Sequence, residues 1–289
     1  MKFWQMVPYM EPEQLVDVAR IAEEVGFEGV MGADHLLYPR TLNSPYPYTP
    51  DGASPIDSES PYPDPWVMTA MMAAVTTRLK FSTSIFVLPL RHPLEVAKAT
   101  GTLSLLSNGR FILGAGAGWM KEEFDAAGVD FRTRGRRMNE MLEVMPALWS
   151  GDWVDFDGEF FKLDGVRLLP APPSPVPVFI GGSSAAALRR TVKYGNGFIG
   201  HGNHPDEVAP LLRKIGALRE EAGVAGQPFE TVMGLTTPPD YDTFKRLADE
   251  GMTASVNYPF SMILGGGSSL DEKRRVMETF AEDFIVRQV

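Results

Sequence analysis

Eight short β-rich runs, each followed by an amphipathic helical stretch, recur along the 289 residues, and this alternation constrains the fold more than any other feature. A crossover helix returns the chain to start a neighbouring strand in the same direction, so the repeat predicts a parallel sheet. Strands are expected at 2–7, 29–33, 79–88, 111–115, 176–180, 197–200, 231–235 and 254–257. Helices are expected at 12–25, 65–76, 93–106, 138–149, 184–194, 205–222, 241–250 and 271–286. Eight units favour a closed (β/α)8 TIM barrel, read as one domain over 1–289. An open doubly wound sheet would carry G-x-G-x-x-G at a helix start, which Gly114-Ala-Gly-Ala-Gly118 fits poorly.

Two segments interrupt the rhythm. Residues 37–64, rich in Pro, Ser and Tyr, join the second strand to its helix and so belong to the catalytic face of a barrel, either as a lid or as a surface insertion. Residues 153–169 read as a small hairpin turning at Asp157-Gly158.

A net charge of −10 disfavours nucleic acid and anionic membranes as partners, because both reward a basic face. The absence of cysteine excludes disulfides, thiolate ligands and a cysteine nucleophile. With no signal-like or membrane-length apolar run, the expectation is a soluble cytoplasmic protein. Barrel helices often pair, so a homodimer is the default.

Three motifs carry candidate chemistry. The first is the glycine ladder of Phe111-Ile-Leu-Gly-Ala-Gly-Ala-Gly-Trp119, where the missing side chains suit a large flat ligand lying on the backbone. The second is Val178-Phe-Ile-Gly-Gly-Ser-Ser184, a strand, a glycine turn and a serine-capped helix, which makes either a phosphate cradle or an ordinary cap. The third is the set of histidines, all expected just after strands. His35 is the candidate acid, base or hydrogen-bond donor, with the adjacent Asp34 orienting its loop. His92 reads as structural, and His201 and His204 lack the pattern of a metal site. Arg132, Arg134, Arg136 and Arg137 form a basic cluster that either attracts an acidic ligand or pairs with Glu140 and Glu143.

In order, Asp34-His35, Ser82-Thr-Ser-Ile-Phe-Val-Leu-Pro89, Leu105-Leu-Ser-Asn-Gly-Arg110, Gly114-Ala-Gly-Ala-Gly-Trp119, Arg134-Gly-Arg-Arg137 and Val178-Phe-Ile-Gly-Gly-Ser183 resemble successive blocks of the bacterial luciferase-like monooxygenase superfamily. The hairpin Asp152-Trp-Val-Asp-Phe-Asp-Gly-Glu-Phe-Phe-Lys-Leu163 resembles that of its deazaflavin-dependent sugar-phosphate dehydrogenases. This resemblance implies an oxidoreductase that moves a hydride between coenzyme F420 and a small organic substrate. An FMN-dependent monooxygenase fed by a separate reductase is the alternative.

The resemblance also implies site residues. Ser84-Ile85 would be a non-prolyl cis peptide backing the cofactor ring, with Ala117 and Gly118 at the ring's edge. Asp34 would belong to the cofactor site, His35 would lie near the reactive centre, and Gly181, Gly182, Ser183 and Ser184 would hold phosphate. Phe86 and Trp119 would line the substrate pocket, whereas Trp66 fits core packing better. Trp119 stands where the sugar-phosphate dehydrogenases place a catalytic acid, and their substrate-phosphate lysine is missing near Asn203, which argues against glucose 6-phosphate.

Overall fold

A computed structural model describes residues 1–287. The strands are β1 (Lys2–Met6), β2 (Gly29–Gly32), β3 (Lys80–Thr83), β4 (Phe86–Val87), β5 (Phe111–Gly116), β6 (Val154–Asp157), β7 (Lys162–Val166), β8 (Val178–Gly181), β9 (Gly197–Asn203), β10 (Glu230–Leu235) and β11 (Ala254–Asn257). Parallel pairing runs β3-β2-β1-β11-β10-β9-β8-β5, and β5 pairs back to β3 through Phe81 opposite Phe111 and Ser82 opposite Ile112. The sheet therefore closes into an eight-stranded barrel, with β3 and β4 as two pieces of one barrel strand. β6 and β7 form the separate antiparallel hairpin, in which Gly158 N–H donates to the Phe161 carbonyl across the turn.

Strand alternation divides the core in two. Phe3, Val30, Phe81 and Phe111 point outward under the helices, while their neighbours Trp4, Met31 and Ile112 point inward with Phe179, Ile199, Val232 and Ala254. Burial on both faces explains why these strands are almost continuously apolar. Met6, Ile85 and Val256 sit against the inner cluster but are only partly buried. They form the upper surface of the barrel's plug.

The helices are α1 (Leu15–Val25), α2 (Pro65–Ala74), α3 (Pro93–Leu106), α4 (Lys121–Ala126), α5 (Arg134–Ser150), α6 (Ala185–Tyr194), α7 (Pro205–Glu221), α8 (Tyr241–Asp249), α9 (Phe260–Leu264) and α10 (Leu270–Phe280). Their starts follow local chemistry. Asp64 accepts from the N–H groups of Trp66 and Val67, and Pro65 occupies the first turn of α2, where its missing donor is not needed.

Three expectations need correction. The strand expected over 79–88 is broken, because Ser84-Ile85 is a cis peptide between β3 and β4, as the family resemblance implied. The strand expected over 197–200 continues to Asn203, so His201 lies within it, its chain paired with β10 through Gly202 opposite Gly234. The final helix expected over 271–286 ends its α-helical part at Phe280 and continues as a π-helical turn over Ala281–Ile285. One short helix, α9, escaped the reading, since five residues carry too little periodicity to register.

Candidate active site

A cavity of about 790 Å³ opens at the carboxyl ends of the barrel strands. Its size falls within the range of roughly 300–1,000 Å³ typical of small-molecule and cofactor sites. The floor is apolar, formed by Ile85, Ile199, Val232 and Val256. Ile85 owes its place to glycines on two neighbouring strands. A Cβ on Gly116 would fall 1.7 Å from Ile85 Cδ1, and one on Gly181 would fall 2.7 Å from Ile85 Cγ2. A Cβ on Gly114 would meet the Thr83 carbonyl oxygen at 1.8 Å.

The glycine ladder therefore does something other than expected. Gly114 and Gly116 do not receive a ligand directly; they make room for the protein's own backbone and for the Ile85 side chain. Of the ladder, Gly118, at φ +80°, and its neighbour Ala117 line the cavity.

His35 stands on one wall, oriented by an acid that sequence reasoning did not identify. Its Nδ1 lies 3.0 Å from Glu123 Oε2, and Glu123 Oε1 accepts the Leu36 N–H at 2.6 Å. Glu123 is fully buried on the first turn of α4. With Nδ1 held by a carboxylate, Nε2 is the remaining polar atom of the ring and has no partner among the described residues. Asp34 does not take this orienting role. Its carboxylate accepts from Arg91 at 2.7 Å and from the Val87 N–H at 2.9 Å, fixing the segment just after the cis peptide. Burial pushes the Asp34 carboxyl up from its ordinary value, and the Arg91 guanidinium pulls it the other way. The clue to Glu123 was present in the sequence as the second acid of Lys121-Glu-Glu-Phe124, placed one turn beyond the glycine ladder.

The 37–64 segment forms a second wall. Ser44, Tyr46, Tyr48, Ile56 and Tyr62 all line the cavity. The segment is pinned to α4, because the Glu122 carboxylate accepts from the N–H groups of Asn43 and Ser44 and from the Ser44 hydroxyl. Rings meet along this side: His35 lies edge-on to Tyr62 (4.9 Å between centroids) and to Trp119 (5.9 Å). Trp119 meets Tyr46 at 5.2 Å, Tyr46 meets Tyr48 at 5.4 Å, and Tyr48 stacks on His201 at 4.1 Å.

The turn after β8, where a Cβ on Gly182 would stand 3.7 Å from the Tyr48 hydroxyl, suits an anion. Gly182 has φ +107°, Ser184 caps α6 by accepting the Ala187 N–H, and the first turn of the helix opens to the cavity. Arg134 and Arg190 line the same space. Their hydrogen bonds go to neutral groups: Arg134 donates to the carbonyls of Gly118 and Phe131, and Arg190 to Asn139 Oδ1 and the Gly135 carbonyl. Among the described residues no carboxylate pairs with either guanidinium, and both border a helix start whose dipole also favours an anion.

The other members of the basic cluster are occupied elsewhere. Arg132 pairs with Asp130 and Arg136 with Glu159, while Arg137 donates to the Pro89 carbonyl, lies over the Phe161 ring and feels the charge of Glu140. Glu140 accepts from the backbone N–H groups of Glu159, Phe160 and Phe161 in the hairpin.

Phe86 is a correction. It is fully buried in the outer core, with its ring 4.5 Å from that of Trp66 and the Arg91 guanidinium 4.5 Å from its centroid, so it does not line the cavity. Trp66 packs on Phe86 and Phe111 as core. His92 caps α3 and His204 caps α7, each accepting a backbone N–H. Trp119 does line the cavity, and Ser84, Ser183 and Gly181 also border it.

The sequence model of the luciferase-like monooxygenase family matches residues 2–242. An uncharacterized protein of Mycobacterium tuberculosis is 37% identical over 278 residues, covering 94% of each chain. The F420-dependent glucose-6-phosphate dehydrogenase of Nakamurella multipartita is 31% identical over 253 residues, covering 85% of this chain and 69% of that one. Among solved structures, the coenzyme F420-dependent tetrahydromethanopterin reductase of Methanopyrus kandleri superposes with a TM-score of 0.74 at 17% identity over 99% of both chains, a likeness of fold.

Proposed function

The chain belongs to the luciferase-like monooxygenase family, and from that premise we propose that it is an oxidoreductase using coenzyme F420 to transfer a hydride to or from a small organic substrate. The observation that carries this reading is the division of the cavity into an apolar floor raised on Ile85 and an anion-suited end at Gly182, Ser184, Arg134 and Arg190. A planar ring with an anionic arm needs both. The F420-dependent relatives support the choice of deazaflavin.

The residues present fit that group. Gly181, Gly182, Ser183 and Ser184 would hold the phosphate, helped by the two guanidiniums, and Ile85 and Val256 would carry the ring, with Ala117 and Gly118 at its edge. When bound, F420 supplies two-electron chemistry from a ring carbon that replaces a flavin nitrogen and so disfavours oxygen activation. The protein supplies the rest. The 37–64 wall keeps water from the reacting side, and Glu123 holds the His35 ring so that Nε2 can give or take a proton at the substrate. Absence of the sugar-phosphate lysine near Asn203 argues for a substrate other than glucose 6-phosphate.

No helix among the described residues is long and apolar enough to cross a membrane. In this reading the enzyme works in the cytoplasm. Exposed Val67 and Met71 on α2 and Leu106 on α3 support a homodimer.

Equilibrium titration of the purified protein with F420 and with FMN, followed by fluorescence, tests the cofactor. F420 is expected to bind at least about tenfold more tightly, a difference of roughly 1.4 kcal/mol. Preference for FMN would replace this reading with that of a reduced-flavin monooxygenase.

A further inference from the structure

The rings of Tyr62, His35, Trp119, Tyr46, Tyr48 and His201 form an unbroken arc along one side of the cavity, each within 5.9 Å of the next. From this arc we infer that the substrate compartment takes a neutral, planar aromatic molecule carrying an oxygen substituent, an inference that rests on the F420 reading of the same cavity.

Charge decides against ionic guests. Among the described residues lining the cavity, the cations are Lys121, Arg134 and Arg190, and Asp34 is the acid. Asp34 is already paired with Arg91, so no free carboxylate meets a cationic guest. Arg134 and Arg190 border the 182–184 turn, where a cofactor phosphate would engage them, and Lys121 is paired with Asp125, so with the cofactor in place these cations already have partners when an anionic guest arrives.

Shape decides for flat rings. From Tyr62 to Tyr48 the contacts are edge-to-face, positive ring edges against negative faces, and Tyr48 stacks on His201; an inserted aromatic ring can continue either geometry where a saturated ring cannot. The arc also offers hydrogen-bond donors to an oxygen. Burial pushes the Tyr46 hydroxyl up to about 12, and burial raises those of Tyr48 and Tyr62 as well, so all three stay protonated at neutral pH. His35 Nε2 lies in the same arc. His201 Nδ1 is buried without a partner, a polar atom that an oxygen-bearing guest can satisfy through a hydroxyl or a bridging water.

The experiment is calorimetric titration of four probes: acetonaphthone, its fully saturated acetyldecalin analogue, naphthoate and naphthyltrimethylammonium. Each is measured on the free protein and on protein saturated with oxidised F420, which cannot reduce a ketone, so only binding is read. Acetonaphthone is expected to bind about tenfold more tightly than each of the others in both forms. Trp119→Leu and Tyr46→Leu should each weaken acetonaphthone about fivefold or more while changing acetyldecalin by less than about twofold. Equal binding of the saturated analogue, or tighter binding of either ion, would overturn the inference. Failure of F420 itself to bind would instead remove the cofactor reading, with the aromatic preference still decided on the free protein.

Discussion

Replacing His35 with Ala should lower turnover by about 10²–10⁴-fold, the usual worth of a positioned proton donor or acceptor, while changing F420 affinity by less than about threefold. The asymmetry follows from geometry. His35 is held by Glu123 with Nε2 free, whereas the anion-suited groups belong to other elements, the turn after β8 with the start of α6 and the guanidiniums of Arg134 and Arg190. Glu123→Gln is the companion test. The amide oxygen can still accept from Nδ1–H, but it carries no charge and its NH2 cannot accept from the Leu36 N–H as Glu123 Oε1 does. Turnover should therefore fall about tenfold or more, with the larger part in kcat, since an orienting carboxylate acts through the imidazole it holds. Steady-state kinetics alongside fluorescence titration separates the two effects. Unchanged turnover in His35→Ala removes the assigned proton role, and a parallel loss of F420 binding would move His35 into the cofactor site.

Gly114→Ala should destabilise the protein by about 3 kcal/mol or prevent its accumulation, the upper part of the range for overpacked cores. The added Cβ would lie 1.8 Å from the Thr83 carbonyl oxygen and 2.7 Å from Ile199 Cδ1. A flexible side chain can step aside, but the Thr83 carbonyl is backbone in the seam where β3 meets β5. Thr83 Oγ1 also donates to the Gly114 carbonyl at 2.7 Å, so parting the strands loses that bond as well. The contrasting substitution is Gly216→Ala in α7, where a Cβ meets nothing within 4 Å. Alanine there should stabilise by up to about 1 kcal/mol through helix propensity. Chemical denaturation of both variants measures the difference. Similar midpoints would mean that the β3–β5 seam is more open than described.

The barrel was legible because eight repeats of strand and helix leave few ways to bury their apolar faces, and no local ambiguity at one strand end changes that count. The glycine turn and serine cap at the start of α6 were legible for a similar reason: Gly181, Gly182, Ser183 and Ser184 are adjacent in sequence, so their shared geometry is local. Family resemblance located the cis peptide at Ser84-Ile85, which strand periodicity alone would have passed over. What periodicity could not show were contacts between distant segments. Glu123 lies 88 positions from His35 and meets it only when β5 and β2 are brought to one rim. Asp34, adjacent to His35 and the obvious partner on the page, is drawn instead to Arg91. The spacing of the glycine ladder signalled close approach; at Gly114 and Gly116 the approaching groups are the Thr83 carbonyl and Ile85, while Ala117 and Gly118 face the cavity. Phe86 followed from the same limitation, since alternation across the irregular peptide bond put it under the helices instead of over the rim.

The most direct test of the central claim is a crystal structure of the protein grown with F420. The account predicts the deazaflavin ring against Ile85 and Val256, its phosphate among Gly182, Ser183, Ser184, Arg134 and Arg190, and its reactive face turned toward His35. A ring bound elsewhere, or a phosphate away from the start of α6, would contradict it.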